Sequence, residues 1–220
     1  MSKTKAAPES AAKVTIAAPN LKQAVFRIRG TSPLVMCAFG QKARQQMHET
    51  QEAGSTAKKG RKRDGKDFMA CYEEAKHVAS EGWIGIPASA FRAAMIRACA
   101  VCGFKMTAAK CSVFVVPDGF DRTSGDPLVK ITKGEPRYVE HAVRVANGNT
   151  DLRARPMWDA GWEAAVNIRF DADQFTVSDV ANLLLRAGLQ VGILEGRHFS
   201  RDSIGMGWGE FEVLSAKGDK

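Results

Sequence analysis

The chain LKQAVFRIRG opens the ordered pattern: Ala24, Phe26 and Ile28 alternate with Gln23, Arg27 and Arg29. That two-residue period predicts a half-buried strand, closed by Gly30. From about Phe39 to Ala53 the pattern is helical but weakly amphipathic, and FMACYEEAKHVA predicts a second short helix. Trp83 to Ile86 is a short apolar strand, after which Pro87 suits the opening of the helix ASAFRAAMIRACAVCG. Phe91, Met95, Ala98 and Cys102 share one face of it, and Gly103 supplies the stop. A strand follows at Cys111–Val116, then a turn-rich stretch with extended pieces over 117–157. WEAAVNIRF repeats the strand period, with Trp162, Ala164, Val166, Ile168 and Phe170 inward and Glu163, Asn167 and Arg169 outward. TVSDVANLLLRAG predicts a helix: Thr176 and Asp179 have capping-box spacing, and Gly188 is placed as its stop. A glycine-punctuated loop and the strand EFEV close the pattern.

Without the insertions the order is strand, helix, strand, strand, helix, strand, the β-α-β-β-α-β ferredoxin-like pattern of an α+β fold. The expected organisation is one domain over 21–214, a flexible N-terminal arm over 1–20 and a flexible tail over 215–220. Within it lie a mobile basic loop at 53–66 and a β insertion at 117–157. Strands one and three are central neighbours in this topology, so Arg27, Arg29, Asn167 and Arg169 would give one sheet face a polar, basic character.

Charge narrows the choice of partner. Among 220 residues, 32 Lys and Arg stand against 24 Asp and Glu, a net charge of +8, which favours polyanions. Much of the excess sits in GSTAKKGRKRDGKD: Lys58, Lys59, Arg61, Lys62, Arg63 and Lys66 against Asp64 and Asp67, with no apolar residue larger than Ala. Such a segment cannot bury a face, and its cations suit a nucleic-acid backbone without reading sequence. Lys130, Lys133, Arg137, Arg144, Arg153 and Arg155 form a second possible clamp. No apolar run approaches the roughly 20 residues that span a bilayer, so no membrane partner is expected. The first residues, MSKTKAAPESAAK, lack the apolar stretch of a secretory signal, and five cysteines is an odd number, so reduced thiols in a cytoplasm are expected.

The glycine-rich loop carries Gly192, Gly196, Gly205, Gly207 and Gly209 with Arg197, His198 and Arg201 between them. Glycine lets backbone N–H groups approach a phosphate closely, and the cations add attraction; the plainer reading is a turn between helix and strand. It is neither a Walker loop nor a Rossmann fingerprint. Cys99 and Cys102 make the one CxxC, without the further ligands of a zinc site, and read as small buried hydrophobes; no metal or cofactor is expected. His48, His77, His141 and His198 are scattered. Among the tryptophans, Trp162 lies on the core period and Trp158 is the better candidate for stacking a base.

IPASAFRAAMIRAC resembles the start of the first helix in RAMP-superfamily proteins of CRISPR effector complexes, and VGILEGRHFSRDSIGMGWGEFEV resembles their glycine-rich loop and last strand. The opening strand ending in Arg29 and Gly30 lies where that family begins its RRM-like fold, and Ser32–Ala43 is similar to the SPLVM…KA opening of small phage proteins. The resemblance implies a single RRM-like domain of the backbone-subunit type: non-catalytic, polymerised with copies of itself along single-stranded nucleic acid, RNA favoured over DNA, in the cytoplasm of a bacterium or a phage-infected cell, with other effector subunits as further candidate partners. On that reading Arg92, Arg97, Arg153, Arg155, Arg197, His198 and Arg201, with Gly192, Gly196, Gly205 and Gly207 and the basic loop, contact the strand. Two other readings stay open. One is a metal-independent guide-processing endoribonuclease, with His48 as general base assisted by Lys42 or Tyr72. The other is a phage protein that binds single-stranded DNA or another protein.

Overall fold

A computed structural model describes residues 17–53, 65–144, 150–199 and 205–218. The loop cations Lys58, Lys59, Arg61, Lys62 and Arg63, and Arg201, lie outside them. The structure is mixed α/β with antiparallel sheets. β1 (Leu21–Gly30) is central, with β10 (Phe211–Gly218) on one side and β9 (Glu163–Asp171) on the other. The far edge of β9 is shared: β4 (Val113–Val116) pairs with its second half and β6 (Pro127–Lys133) with its start. β3 (Gly85–Pro87) and β5 (Gly119–Phe120) extend the sheet from β6. A smaller sheet runs β2 (Leu34–Val35), β8 (Thr150–Trp158), β7 (Arg137–Arg144), so the insertion supplies most of it.

The alternation in β1 and β9 is realised as expected: Ala24, Phe26, Ile28, Ala164, Val166, Ile168 and Phe170 are buried. Against them pack α3 (Ala88–Cys102), through Phe91, Met95, Ala98 and Cys99, and α5 (Val177–Arg186), through Val180, Leu183 and Leu184. Each large side chain so buried contributes about 1.5–3 kcal/mol, which is why the period fixes the register. On the other face of the sheet Arg27, Arg29 and Arg169 are exposed. The predicted capping box forms: the Thr176 hydroxyl accepts from Asp179 N at 3.1 Å, and Asp179 Oδ2 accepts from Thr176 N at 2.9 Å.

Four local expectations are corrected. The segment before β4 is a helix, α4 (Met106–Ser112), so the strand starts at Val113 and not at Cys111; Met, Ala and Lys favour the turn. On α3 the buried thiol is Cys99, donating to Met95 O at 3.3 Å, while Cys102, the last helical residue, is exposed. Gly188 does not end α5. The chain continues through a π-helical turn, Ala187–Val191, and stops at Gly192 with φ 74°. A Cβ on Gly188 would stand 2.1 Å from Phe211 O, so this glycine serves close packing on β10. Finally, Trp158 is only 1% exposed and cannot stack a base.

The helix α1 (Gln41–Ala53) is exposed over its described side chains, and α2 (Phe68–Glu74), which packs on β8, is capped by Asp67, whose Oδ1 accepts from Ala70 N at 3.0 Å. The basic loop leaves the described chain at Ala53 and returns at Gly65.

Candidate functional site

The residues from Pro87 to Pro117 include Arg92, Arg97, Lys105 and Lys110 and no carboxylate. The folded chain leaves this charge largely uncompensated. Arg92 donates from Nε to Val113 O at 3.0 Å, and its guanidinium lies 5.5 Å from the centre of the Phe114 ring. Arg169, one strand away, lies 5.3 Å from the same ring. Arg97 stacks on Phe199, 3.6 Å from its centre. Arg197 donates to Leu194 O at 2.8 Å. Among the described residues none of these four arginines has a carboxylate partner, and each lies beside a ring or a carbonyl.

Phe199 belongs to the glycine-rich loop, which folds back on itself. Ile193 N donates to Gly209 O at 3.0 Å, Met206 N to Gly196 O at 2.9 Å, and Gly209 N to Pro33 O at 2.7 Å. Gly192, Gly196, Gly205, Gly207 and Gly209 all have φ between 71° and 75°, a region L side chains avoid. A Cβ on Gly196 would stand 2.3 Å from the Trp208 ring, and one on Gly209 2.0 Å from Ile193 O. At these two positions glycine is required by the loop's own packing. His198 is tied to Glu210 through Nε2 and Oε1.

Arg153 and Arg155, two positions apart on one face of β8, converge on Glu195. Arg155 Nε lies 2.9 Å from Oε2 and Arg153 Nη1 3.4 Å from Oε1, and Arg153 also reaches Asp151 at 3.2 Å. Lys66 pairs with Asp151 at 2.9 Å. The side chains of Arg153 and Arg155 are 27% and 14% exposed. Lys66, Arg153 and Arg155 thus share one cavity of about 420 Å³ with the exposed Phe39, but their charges are already met by carboxylates. Of the remaining clamp residues, Arg137 pairs with Asp159 at 2.9 Å and Lys133 with Glu163 at 3.3 Å.

His141 abuts this cluster. Its ring meets Trp208 edge-on at 5.2 Å, both nitrogens are buried without a hydrogen-bond partner among the described residues, and Glu195 Oε1 is 3.8 Å away. Burial holds its pKa below the ordinary 6.5, with Arg155 and Arg153 acting in the same sense and Glu195 against. The folded chain therefore binds this proton less well than the unfolded chain. The resulting stability is present above pH 6.5 and is lost as the pH falls from there towards the lower folded value, by at most about 1.4 kcal/mol per pH unit. His141→Phe keeps a ring against Trp208 and should flatten melting temperature against pH between pH 7 and 5; an unchanged slope would show that His141 does not titrate on unfolding.

The described catalytic candidates each meet other partners. His48 pairs with Glu52, 3.4 Å away on exposed α1, while Tyr72 donates to Pro136 O at 3.3 Å and packs on Tyr138. The side chain of Lys42 lies outside the described residues. The structure instead pairs His77 Nδ1 with Asp121 Oδ2 at 3.1 Å, beside a cavity of about 300 Å³. Burial alone would raise the Asp121 carboxyl, but the Ser124 and Thr123 N–H groups and His77 hold it below its ordinary value. The one signal in the sequence was the DRTSGD turn, where Asp121 caps the N–H groups two and three residues on.

No protein family model matches the sequence, and no curated protein does. Among solved structures the chain is similar to one from the cryo-EM structure of the type III-B Cmr-β bound to cognate target RNA, with a TM-score of 0.55 and 9% identity. The match covers 91% of this chain and 61% of that one, so this chain spans about three-fifths of its neighbour's length. At that identity the likeness is one of fold.

Proposed function

We propose that this chain is a non-catalytic, single-stranded nucleic-acid-binding protein with a single RRM-like core of the RAMP type, taking RNA in preference to DNA and lying along it with copies of itself. The observation that carries the reading is the set of four arginines, Arg92, Arg97, Arg169 and Arg197, whose guanidinium groups meet rings and carbonyls but no carboxylate. Charge left in this state is charge available to phosphate. The strand order β10-β1-β9-β4, joined through α3 and α5, supports the RRM-like core. Likeness in fold to a chain of an RNA-bound CRISPR complex supports both the RNA preference and a place among other subunits.

Gel retardation with single-stranded RNA, single-stranded DNA and duplexes, with cleavage followed on the same gel, tests this. Single strands should shift, RNA most, uncut. Log affinity should fall with log salt with a slope of about −0.7 per phosphate contact. Replacing Lys58, Lys59, Arg61, Lys62 and Arg63 together by Ala should weaken binding at an unchanged melting temperature. Cleavage products, or affinity indifferent to salt, would overturn the reading.

A further inference from the structure

The cavity of about 300 Å³ beside His77 and Asp121 shares no residue with the arginine set or the glycine-rich loop. Its two central groups are held in place by the backbone around them. His77 N donates to Met36 Sδ at 3.2 Å, and the His77 carbonyl accepts from Gly85 N at 3.0 Å. Arg122 N, next to Asp121, donates to Val78 O at 2.9 Å. The Asp121 side chain is 5% exposed, and its Oδ1 accepts from Thr123 N at 2.8 Å and from Ser124 N at 3.0 Å. Groups fixed in this way lose little freedom when a ligand arrives.

An ionised carboxylate only accepts hydrogen bonds, and Asp121 Oδ2 faces His77 Nδ1 at 3.1 Å. Nδ1 therefore carries the proton of the neutral ring, and Nε2 carries the lone pair. Nε2 has no partner among the described residues and is open to solvent. The exposed Glu74, Arg44 and Arg122 also line the cavity. Glu74 Oε2 lies over Gly40, where a Cβ would stand 2.6 Å from it. Among the described residues none of these three has an ion-pair partner, whereas Lys76 is paired with Glu73 at 2.8 Å and Ser124 Oγ donates to Asp126 Oδ2 at 2.7 Å. The unmet groups are the acceptors His77 Nε2 and Glu74 and the cations Arg44 and Arg122. A simple anion would satisfy the cations and leave the acceptors unmet, and an uncharged polyol would do the reverse. A ligand that is anionic at one end and carries neighbouring hydroxyls at the other meets all four.

We propose that this cavity binds a ribose 5′-phosphate unit: its vicinal hydroxyls donate to His77 Nε2 and to the Glu74 carboxylate, and its phosphate sits against Arg122 and Arg44. Asp121 is a positioning residue, which holds the ring with its lone pair towards the ligand. Phe39, 53% exposed on the same cavity, offers a face to an attached base. The volume lies at the lower end of small-ligand sites, which suits a single nucleotide unit. A free ribonucleoside 5′-phosphate and the 3′ end of an RNA strand present this same chemistry. No group of the arginine set takes part, so this binding does not depend on the nucleic-acid reading above.

Calorimetric titration of the full chain with adenosine 5′-phosphate, its 2′-deoxy analogue and inorganic phosphate tests this. The ribonucleotide should bind about tenfold more tightly than the deoxy analogue, the worth of one hydrogen bond, with inorganic phosphate weakest. Arg122→Ala should weaken both nucleotides alike, by about tenfold, and leave their ratio unchanged. His77→Phe should bring that ratio close to one. Because this change also strips Asp121 of its partner, the wild-type protein supplies a second readout. On adding adenosine 5′-phosphate the His77 ring resonances should move, while those of His48, on exposed α1, stay in place. RNA oligonucleotides ending in a free 3′ diol or in a 3′-phosphate separate the two sources. Affinity lost on capping the diol marks a strand end as the ligand; affinity unchanged on capping, with the mononucleotide bound, marks a free nucleotide. Equal affinity for ribo- and deoxynucleotide, no heat with millimolar nucleotide, or His77 resonances that do not move would overturn the inference. A protein that shifts no single strand yet takes up adenosine 5′-phosphate with the expected ratio would sink the nucleic-acid reading and leave this one standing.

Discussion

Glu195→Ala should lower stability by about 2–4 kcal/mol, or roughly 5–15 °C in melting temperature for a chain of this size. Its carboxylate, 17% exposed, is the counter-ion of both Arg155 and Arg153, and its backbone N–H is tied to Val35 O at 3.2 Å. Deletion leaves two half-buried guanidinium groups facing each other across a methyl group, with Asp151 compensating only Arg153. Removing one partner of a buried pair costs more than the pair itself contributes, because the remaining charge is stranded; partial exposure trims that cost. Glu195→Gln, which keeps an acceptor for one arginine, should lose about half as much. Thermal melts of the two variants decide the matter. If Glu195→Ala melts with the wild type, the cluster behaves as surface ion pairs of negligible worth, and Arg153 and Arg155 become free to serve as phosphate contacts.

That cluster also marks how far the sequence could be read. Alternation in LKQAVFRIRG and WEAAVNIRF identified β1 and β9 and their buried residues, because a period of two reports burial directly. The Thr176–Asp179 spacing identified the start of α5, because the cap is a local bond. What failed was tertiary. Arg153 and Arg155 read as solvated cations because their partner, Glu195, lies forty residues on and reaches them only through the fold of the glycine-rich loop. Gly188 read as a helix stop because nothing nearby in sequence announces Phe211 O above it. Trp158 read as a turn residue, yet its partner across the small sheet is Leu34, more than a hundred positions earlier. The available arginines were legible as basic residues, but their freedom from carboxylates was not.

The glycine-rich loop yields the second large effect, and it separates two causes. Gly196→Val should cost about 3 kcal/mol or more. A branched side chain is forced to φ 75°, and its Cβ falls 2.3 Å from the Trp208 ring and 3.2 Å from Met206 Cβ. Trp208 cannot withdraw freely, because it packs edge-on against half-buried His141. Gly207→Ala carries the same backbone strain at φ 71°, but its nearest neighbour is the His198 ring at 3.6 Å, so only the strain of about 1–2 kcal/mol remains. Melting temperatures should therefore rank wild type, Gly207→Ala, Gly196→Val, with a wide gap before the last. Nucleic-acid binding has to be read on the Gly207→Ala protein, since a Gly196→Val protein that binds poorly has lost its loop and says nothing about phosphate. Gly207→Ala that stays folded yet binds more than tenfold worse places the backbone of the loop against the strand; binding at wild-type strength makes the loop a connector whose glycines serve its own packing. A Gly196→Val protein as stable as wild type would mean that Trp208 does not close over Gly196 in solution.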